Sequence, residues 1–298
     1  MKLFYYKDEI GNFGDDLNPW LWSRVLPDFL DDDASEWFVG IGTLLNHKLP
    51  SSGVKHVFGS GYGYGQKPVI DSSYNFICVR GPKTAEALGL PAELALTDSA
   101  ILVRAVTLPV QAKTFRFGFI PHYLSKRNFT WERLCQELGF NYIDPEWPVD
   151  RVLSELGKCE TMICEAMHGA IVSDALRIPW IPVRCYDYIS AFKWEDWLYT
   201  VALPYSPVAI TSVYDVEDRL PANTRRKNKL KRQLHKLGFW NEGWDLPKAA
   251  TSPRRLIDQA RQELLAASTT RSYLSTDSRC NSLTERYLEK IDDIRKLS

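Results

Sequence analysis

Ile163-Cys164-Glu165-Ala166-Met167-His168-Gly169-Ala170-Ile171-Val172-Ser173-Asp174-Ala175-Leu176 decides how this chain is read. A short apolar run leads into it, and the helix-like run closes at Arg177-Ile178-Pro179-Trp180-Ile181-Pro182-Val183. Strand, elbow, helix and strand in that order make an α/β unit. His168-Gly169 sits at the elbow. In a parallel sheet the C-terminal strand ends face the ligand crevice. The first amides of the following helix favour an anion there, and an imidazole exchanges protons near neutral pH. Taken alone, the same His could simply cap or pack the turn. Further turns of similar style along the chain weigh against that.

Upstream, residues 1–110 alternate short strands with glycine turns and helices. Val39-Gly40-Ile41-Gly42, His56 to Gly61 and Asn75 to Arg80 are apolar runs with turn residues at their ends, and a helix from Pro82 to Leu88 carries Pro in its first turn. Pro109 to Lys113 reads as a hinge. Residues 111–210 start a second set: a strand over Phe115–Ile120, a helix from Trp131 to Leu138 closed by Gly139, a strand at Tyr142-Ile143, a helix from Val149 to Gly157, then the His168 unit. Two α/β halves joined by a hinge place a cleft between them.

Residues 211–298 form a basic, helical extension. Arg225 to Leu237 is cationic with leucines at helical spacing. Ser252-Pro253 opens another helix with Ser as N-cap and Pro first. Ser282 opens a last one, with Leu283, Tyr287, Leu288, Ile291 and Ile294 on one side.

The composition fits such a fold. The 298 residues are 45% hydrophobic, enough for a packed core, and the formal net charge of zero gives no reason to expect nucleic acid. Met1 to Asp8 is charged again after four residues, so it reads as a first strand rather than a signal peptide. No apolar run approaches the roughly 20 residues of a membrane span. The cysteines at 78, 135, 159, 164, 185 and 280 have no CxxC spacing, which fits reduced thiols in the cytoplasm and no zinc site.

Five turns end apolar strands with small or anion-friendly residues. In Gly11-Asn12-Phe13-Gly14-Asp15-Asp16-Leu17-Asn18 the glycines allow close backbone approach, and Asp15, Asp16 or Asn18 could bond hydroxyls; the plain alternative is an Asx-capped turn before a helix at Pro19. Gly59-Ser60-Gly61-Tyr62-Gly63-Tyr64-Gly65 lacks a P-loop ending and reads as a flexible lip. Arg80-Gly81-Pro82 offers a guanidinium for phosphate or carboxylate, or for a surface ion pair. Thr97-Asp98-Ser99-Ala100 reads as an N-cap, with contact to a ligand as the lesser alternative. Ile120-Pro121-His122 puts a second His at a strand end, with Lys126 and Arg127 close behind. Arg184 ends a later strand. Phe192 to Trp197 is an aromatic wall with Lys193 and Asp196 exposed, or a helix packed by its tryptophans. Together these turns suit a small di-anion, with phosphate and carboxylate groups, facing a hydroxyl-bearing partner.

The same ordered motifs over about residues 1–200 resemble the polysaccharide pyruvyl transferase family: Asn12-Phe13-Gly14-Asp15, the Gly59-Ser60-Gly61 turn, Arg80-Gly81-Pro82, Asp98-Ser99-Ala100, Ile120-Pro121-His122 and His168-Gly169. The start of the chain and the Glu165 to Gly169 elbow look nearest its exopolysaccharide branch, including succinoglycan-type ketal pyruvyltransferases. The resemblance implies two Rossmann-like domains facing a cleft, GT-B-like, with the C-terminal helices added. It implies transfer of pyruvate from phosphoenolpyruvate onto two sugar hydroxyls as a cyclic ketal. His168 would be the general acid, with Asp15 or Asp16 acting on the acceptor. Substrate would meet Asn12, Gly14, Gly59, Ser60, Gly61, Arg80, His122, Glu165, Gly169, Arg184 and Lys193. Many members carry Arg two residues before the elbow His, where this chain has Ala166, so Arg80, His122 and Arg184 are the cations expected to replace it. The route requires no redox cofactor or metal. The acceptor would be a saccharide, free or lipid-linked.

Residues 225–237 suggest peripheral contact with the inner membrane face. The plain alternative is a solvated helix packed through Leu230, Leu234 and Leu237. Two other functions share these features: a GT-B-type glycosyltransferase using a nucleotide sugar, and a non-catalytic glycan-binding protein of a polysaccharide assembly system.

Overall fold

The computed structural model describes residues 1–239 and 247–295. Its apolar runs pair as parallel strands, which need long crossover connections, most of them helical, and burial on both faces. In the first half β1 (Lys2–Phe4), β2 (Glu36–Val39), β3 (Val54–Phe58) and β4 (Tyr74–Cys78) lie side by side in chain order. In the second half β5 (Phe115–Ile120), β6 (Asn141–Tyr142), β7 (Cys159–Cys164), β8 (Trp180–Arg184) and β9 (Val208–Ala209) run in the order β6-β5-β7-β8-β9. The fold is mixed α/β with parallel sheets, in the Rossmann-like manner. The second sheet changes winding direction between β5 and β7, so the loops leaving these two strands diverge and open a crevice. His122 leaves β5 and Glu165 to His168 leave β7. Topology thus puts both strand-end histidines at one place.

The first helix, α1 (Phe13–Val25), begins directly after Asn12 rather than at Pro19. Pro19 lies inside it and cannot donate to the Asp15 carbonyl four residues back. The Asn18 side chain donates to that carbonyl instead, at 3.1 Å, so the helix runs on unbroken. Packed behind α1, Trp22 meets Phe38 and Phe58 edge-on with centroids 4.8 and 5.6 Å away. Further along come α2 (Pro82–Leu88), α3 (Tyr123–Asn128), α4 (Trp131–Leu138), α5 (Val149–Gly157), α6 (Met167–Ala175) and α7 (Ala191–Thr200). Trp194 and Trp197 of α7 pack against Trp180, which settles residues 192–197 as a helix packed by its tryptophans. Asp196, expected exposed, is wholly buried.

The C-terminal extension supplies α8 (Ala222–Lys236), α9 (Arg254–Ala267) and α10 (Asp277–Arg295); its residues 240–246 and 296–298 lie outside the described residues. Ala260, Leu264 and Ala267 of α9 join the core of the second half with Phe119 and Ile163. The chain then crosses back, and α10 seals the first half: Tyr287 packs on Phe58 and donates to the Thr97 carbonyl, and Lys290 donates to the Ile77 carbonyl.

Three details depart from expectation. The last helix starts at Asp277 rather than Ser282, and Leu288 faces solvent while Leu283, Tyr287, Ile291 and Ile294 are buried. Pro253 rather than Ser252 precedes α9, because Ser252 is paired through its amide and hydroxyl with Tyr214. Of the leucines expected to pack α8 on the body, Leu230 and Leu237, which follows the last helical residue, are exposed, while Leu234 is half-buried. The six cysteines are unpaired and buried. Among the described residues no helix is long and apolar enough to cross a membrane.

Candidate active site

A cavity of about 760 Å³ opens between the C-terminal ends of the two sheets. Its wall is built from Tyr5 to Lys7 after β1, Asn12 to Asp15 at the start of α1, His47 and Lys48 after β2, Tyr64, His122 to Leu124 after β5, Glu165 to His168 after β7, and Lys193 on α7. The N-terminal turns of α1 and α6 converge here, so their free amides add a positive field.

His168 stands in the first turn of α6 between two fixed neighbours. Its Nε2 lies 3.6 Å from Asp98 Oδ2, and both atoms are buried without a hydrogen-bond partner. The other Asp98 oxygen accepts from the Ala100 amide at 3.0 Å, so the expected N-cap is present and leaves one oxygen for the histidine. Nδ1 rests against Gly14. A Cβ at that glycine would come within 2.1 Å of Nδ1, so only glycine fits beside the ring.

Asp15 lines the cavity, accepting from Asn12 Nδ2 at 2.5 Å. Burial pushes its carboxyl up to about 6, against the pull of His168 and Lys193. Asp16 does not line the cavity. Its carboxylate accepts from the Asn12 amide at 3.0 Å and serves the start of α1, which corrects its expected role at the acceptor.

Lys193, expected exposed, is half-buried in the cavity wall. Its Nζ donates to Tyr64 Oη at 2.7 Å and lies 4.2 Å from that ring's centroid. Burial, with the Arg80 charge adding to it, brings its pKa down to about 7. His122 caps α3 with Nδ1 accepting from the Leu124 amide at 3.4 Å. Burial, followed by the charges of Lys193, His168 and Arg127, drives its pKa down to about 3. Its place on the cavity wall therefore suits a hydrogen-bonding group whose charged form is disfavoured. Lys126 and Arg127 behind it are paired with Glu146, and Arg127 also with Asp8.

Glu165 is buried and holds three strand ends in register. Its oxygens accept from the His122 amide at 3.0 Å and the Cys185 amide at 2.8 Å. Burial raises its pKa. Gly169 lies behind the wall, where a side chain would strike Ile120.

Arg80 corrects another expectation. It is fully buried and does not line the cavity. Nε pairs with Asp196 at 2.9 Å, Nη1 donates to Thr43 Oγ1 at 2.9 Å and Nη2 to the Tyr62 carbonyl at 2.7 Å. Asp196 in turn accepts from the amide and hydroxyl of Thr84 at the start of α2. A Cβ at Gly61 would meet the Arg80 guanidinium at 2.2 Å, and one at Gly81 would meet the Asp196 carbonyl oxygen at 2.1 Å. These glycines make room for a joint between the two halves. Gly59, Ser60 and Gly61 are therefore interior rather than lip, with Ser60 Oγ donating to the Gly42 carbonyl at 3.1 Å. Arg184 is exposed at the end of β8, off the cavity.

Structure also adds residues to which the sequence motifs did not point, Tyr5, Lys7, His47, Lys48, Tyr123 and Tyr188 on the wall, and it sets Asp98 of the expected N-cap behind His168. Among the described residues no group of three or more His, Cys, Asp or Glu side chains stands together to hold a metal ion.

The family described as polysaccharide pyruvyl transferase matches residues 12–188. The succinoglycan biosynthesis protein ExoV of Rhizobium meliloti (strain 1021) is 34% identical over 329 residues, spanning 99% of this chain and 99% of its own. No solved structure matches.

Proposed function

Because this chain belongs to the polysaccharide pyruvyl transferase family, we propose that it moves the pyruvyl group of phosphoenolpyruvate onto two hydroxyls of a sugar in an exopolysaccharide repeat unit, closing a cyclic ketal. The observation that carries this reading is His168, held between Asp98 and Gly14 at the wall of a cavity rich in Lys and His. That arrangement suits proton delivery beside a bound di-anion.

The steps follow from the groups in place. With Asp98 at Nε2, His168 delivers a proton from Nδ1 to the methylene carbon of the donor. The adjacent carbon becomes electrophilic, and the first acceptor hydroxyl adds to it, giving its proton to Asp15. Asp15 suits this because its carboxyl, near 6, takes and releases protons close to neutrality. The bond from the same carbon to the phosphate-bearing oxygen then breaks. The second hydroxyl adds to that carbon, and its proton leaves with the departing phosphate. One proton enters the new methyl group, two leave the hydroxyls, and no electrons are exchanged.

Lys193 supplies the cation for the donor phosphate that Ala166 does not. Its ammonium is bonded to a neutral phenol and faces the cavity, whereas Arg80 is held by Asp196. The neutral His122 donates from Nε2 to the donor carboxylate. Preorganised donors of this kind stabilise developing charge without reorganising. The nucleotide-sugar alternative would place a diphosphate on the Gly59 to Gly61 turn, which is packed inside the first half.

Thermal unfolding with millimolar phosphoenolpyruvate tests the donor site. Ligand at 100 times its dissociation constant adds about 2.7 kcal/mol, a readable rise in midpoint. Phosphate release that depends on added saccharide, with a pyruvylated product in the mass spectrum, tests the reaction. No response to phosphoenolpyruvate together with stabilisation by a sugar nucleotide would overturn the reading.

A further inference from the structure

α8 is joined to the body along one side. Asn228 is buried and exchanges two hydrogen bonds with the Lys248 backbone, at 3.1 and 3.0 Å. Arg232, one turn on, donates to the same carbonyl at 3.0 Å and pairs with Glu217 at 2.8 Å. The opposite side of the helix carries its leucines. At 3.6 residues per turn, Leu230 and Leu237 lie about half a turn round from Asn228. They are 57% and 70% exposed. Leu234 falls beside them. Lys227 and Lys231 run along one edge of this stripe, Arg226 and Lys229 along the other.

Seven Lys and Arg side chains and no Asp or Glu make up the charge of this helix. A polar surface helix normally turns its leucines inward and its charges outward. Here the mooring is polar, Leu230 and Leu237 face out and Leu234 beside them is half-buried, so a surface that is apolar within and anionic at its edge fits this side. We propose that α8 is an interfacial helix that lies on an anionic lipid bilayer, with Leu230, Leu234 and Leu237 in the acyl boundary and the flanking cations at lipid phosphates. A nucleic acid would answer the charges and leave the leucines bare. A bilayer answers both.

Flotation of the full chain with vesicles tests this. Phosphatidylcholine vesicles containing phosphatidylglycerol are expected to carry the protein at low salt, and pure phosphatidylcholine vesicles are not. Lys227→Gln with Lys231→Gln should weaken partitioning about fivefold for each charge removed. Leu230→Glu with Leu237→Glu should weaken it by at least tenfold, on the order expected for losing two buried leucines. All four positions are exposed, so folding and the thermal response to phosphoenolpyruvate should persist in both variants. Failure to float with anionic vesicles, equal binding by the leucine variant, or preferential retention on single-stranded RNA would each overturn the proposal.

Discussion

His168 Nε2 lies 3.6 Å from Asp98 Oδ2, and neither buried atom has a hydrogen-bond partner. A carboxylate that keeps one oxygen for a helix start and turns the other to an imidazole acts as an orienting group. It selects which ring nitrogen faces substrate and balances the charge of the protonated ring. On the proposed chemistry His168→Gln loses on the order of 10²–10⁴-fold in turnover. Asp98→Asn keeps an acceptor for the Ala100 amide but loses the charge. It should lower turnover by less than His168→Gln and leave the unfolding midpoint nearly unchanged. Steady-state phosphate release on both variants, beside thermal melts, checks this. An Asp98→Asn enzyme of wild-type rate would leave Asp98 only its capping role.

Gly14 offers an independent check on the same ring. Alanine is the better helix former, so Gly14→Ala would ordinarily strengthen α1 by up to about 1 kcal/mol. Its Cβ would sit 2.1 Å from His168 Nδ1, and the imidazole would have to swing away. The expected outcome is a chain that melts within a few degrees of wild type yet has lost most of its turnover. Full activity in Gly14→Ala would show that His168 works from another rotamer.

These glycines show what was legible in the chain and what was not. The parallel α/β halves, the packing face of Trp194 and Trp197, and the placing of His122 and His168 at strand ends all follow from local pattern, and the structure has them. The purpose of the motifs was harder to read. A glycine beside a strand end looks the same whether it admits a phosphate or a side chain from elsewhere in the chain. Gly61 admits Arg80, Gly81 admits the Asp196 backbone, and Gly14 admits His168. Arg80 and Asp196 are 116 residues apart, so no local pattern pairs them. Lys193, expected to meet substrate, does line the cavity; local pattern did not show that outward on α7 means into the cavity rather than into solvent.

Arg80 makes a sharp case of structure against chemistry. It is buried in an ion pair with Asp196 that joins the two halves. Removing one member of a buried pair leaves the other charge unpaired, at a cost of about 3–5 kcal/mol. Arg80→Met should therefore drop the unfolding midpoint steeply. Replacing both, Arg80→Met with Asp196→Leu, should recover part of the loss. A donor-binding arginine would behave otherwise: its replacement would spare the midpoint of the free protein and abolish only the rise with phosphoenolpyruvate.

Lys193 ties donor binding to pH. Its pKa is brought down from 10.5 to about 7, so between these values the folded protein holds fewer protons than the unfolded chain. An arriving phosphate favours the ammonium, and binding near pH 8 should take up a proton. The KM for phosphoenolpyruvate should accordingly rise as pH climbs through about 7. Lys193→Arg, charged throughout, should flatten that rise, and Lys193→Met should raise KM at every pH. Calorimetry in buffers of different ionisation enthalpy measures the proton uptake. A wild-type KM that does not change between pH 6.5 and 9 would separate Lys193 from the donor.

His122 sets an acid limit on the fold. Burial drives its pKa from 6.5 down to about 3. Below pH 6.5 the unfolded chain takes up a proton that the folded chain refuses, so stability is lost as pH falls from 6.5 toward 3. At pH 5 this one group accounts for on the order of 1–2 kcal/mol. His122→Asn removes the titration while keeping a side-chain acceptor for the Leu124 amide, and Asn is a favoured N-cap. Its unfolding free energy should change less between pH 7 and pH 5 than that of wild type, by about that amount. Denaturant melts at the two pH values give the comparison. An identical change in both proteins would mean that the imidazole is protonated in the folded state, and its place in the cavity would then be that of a cation.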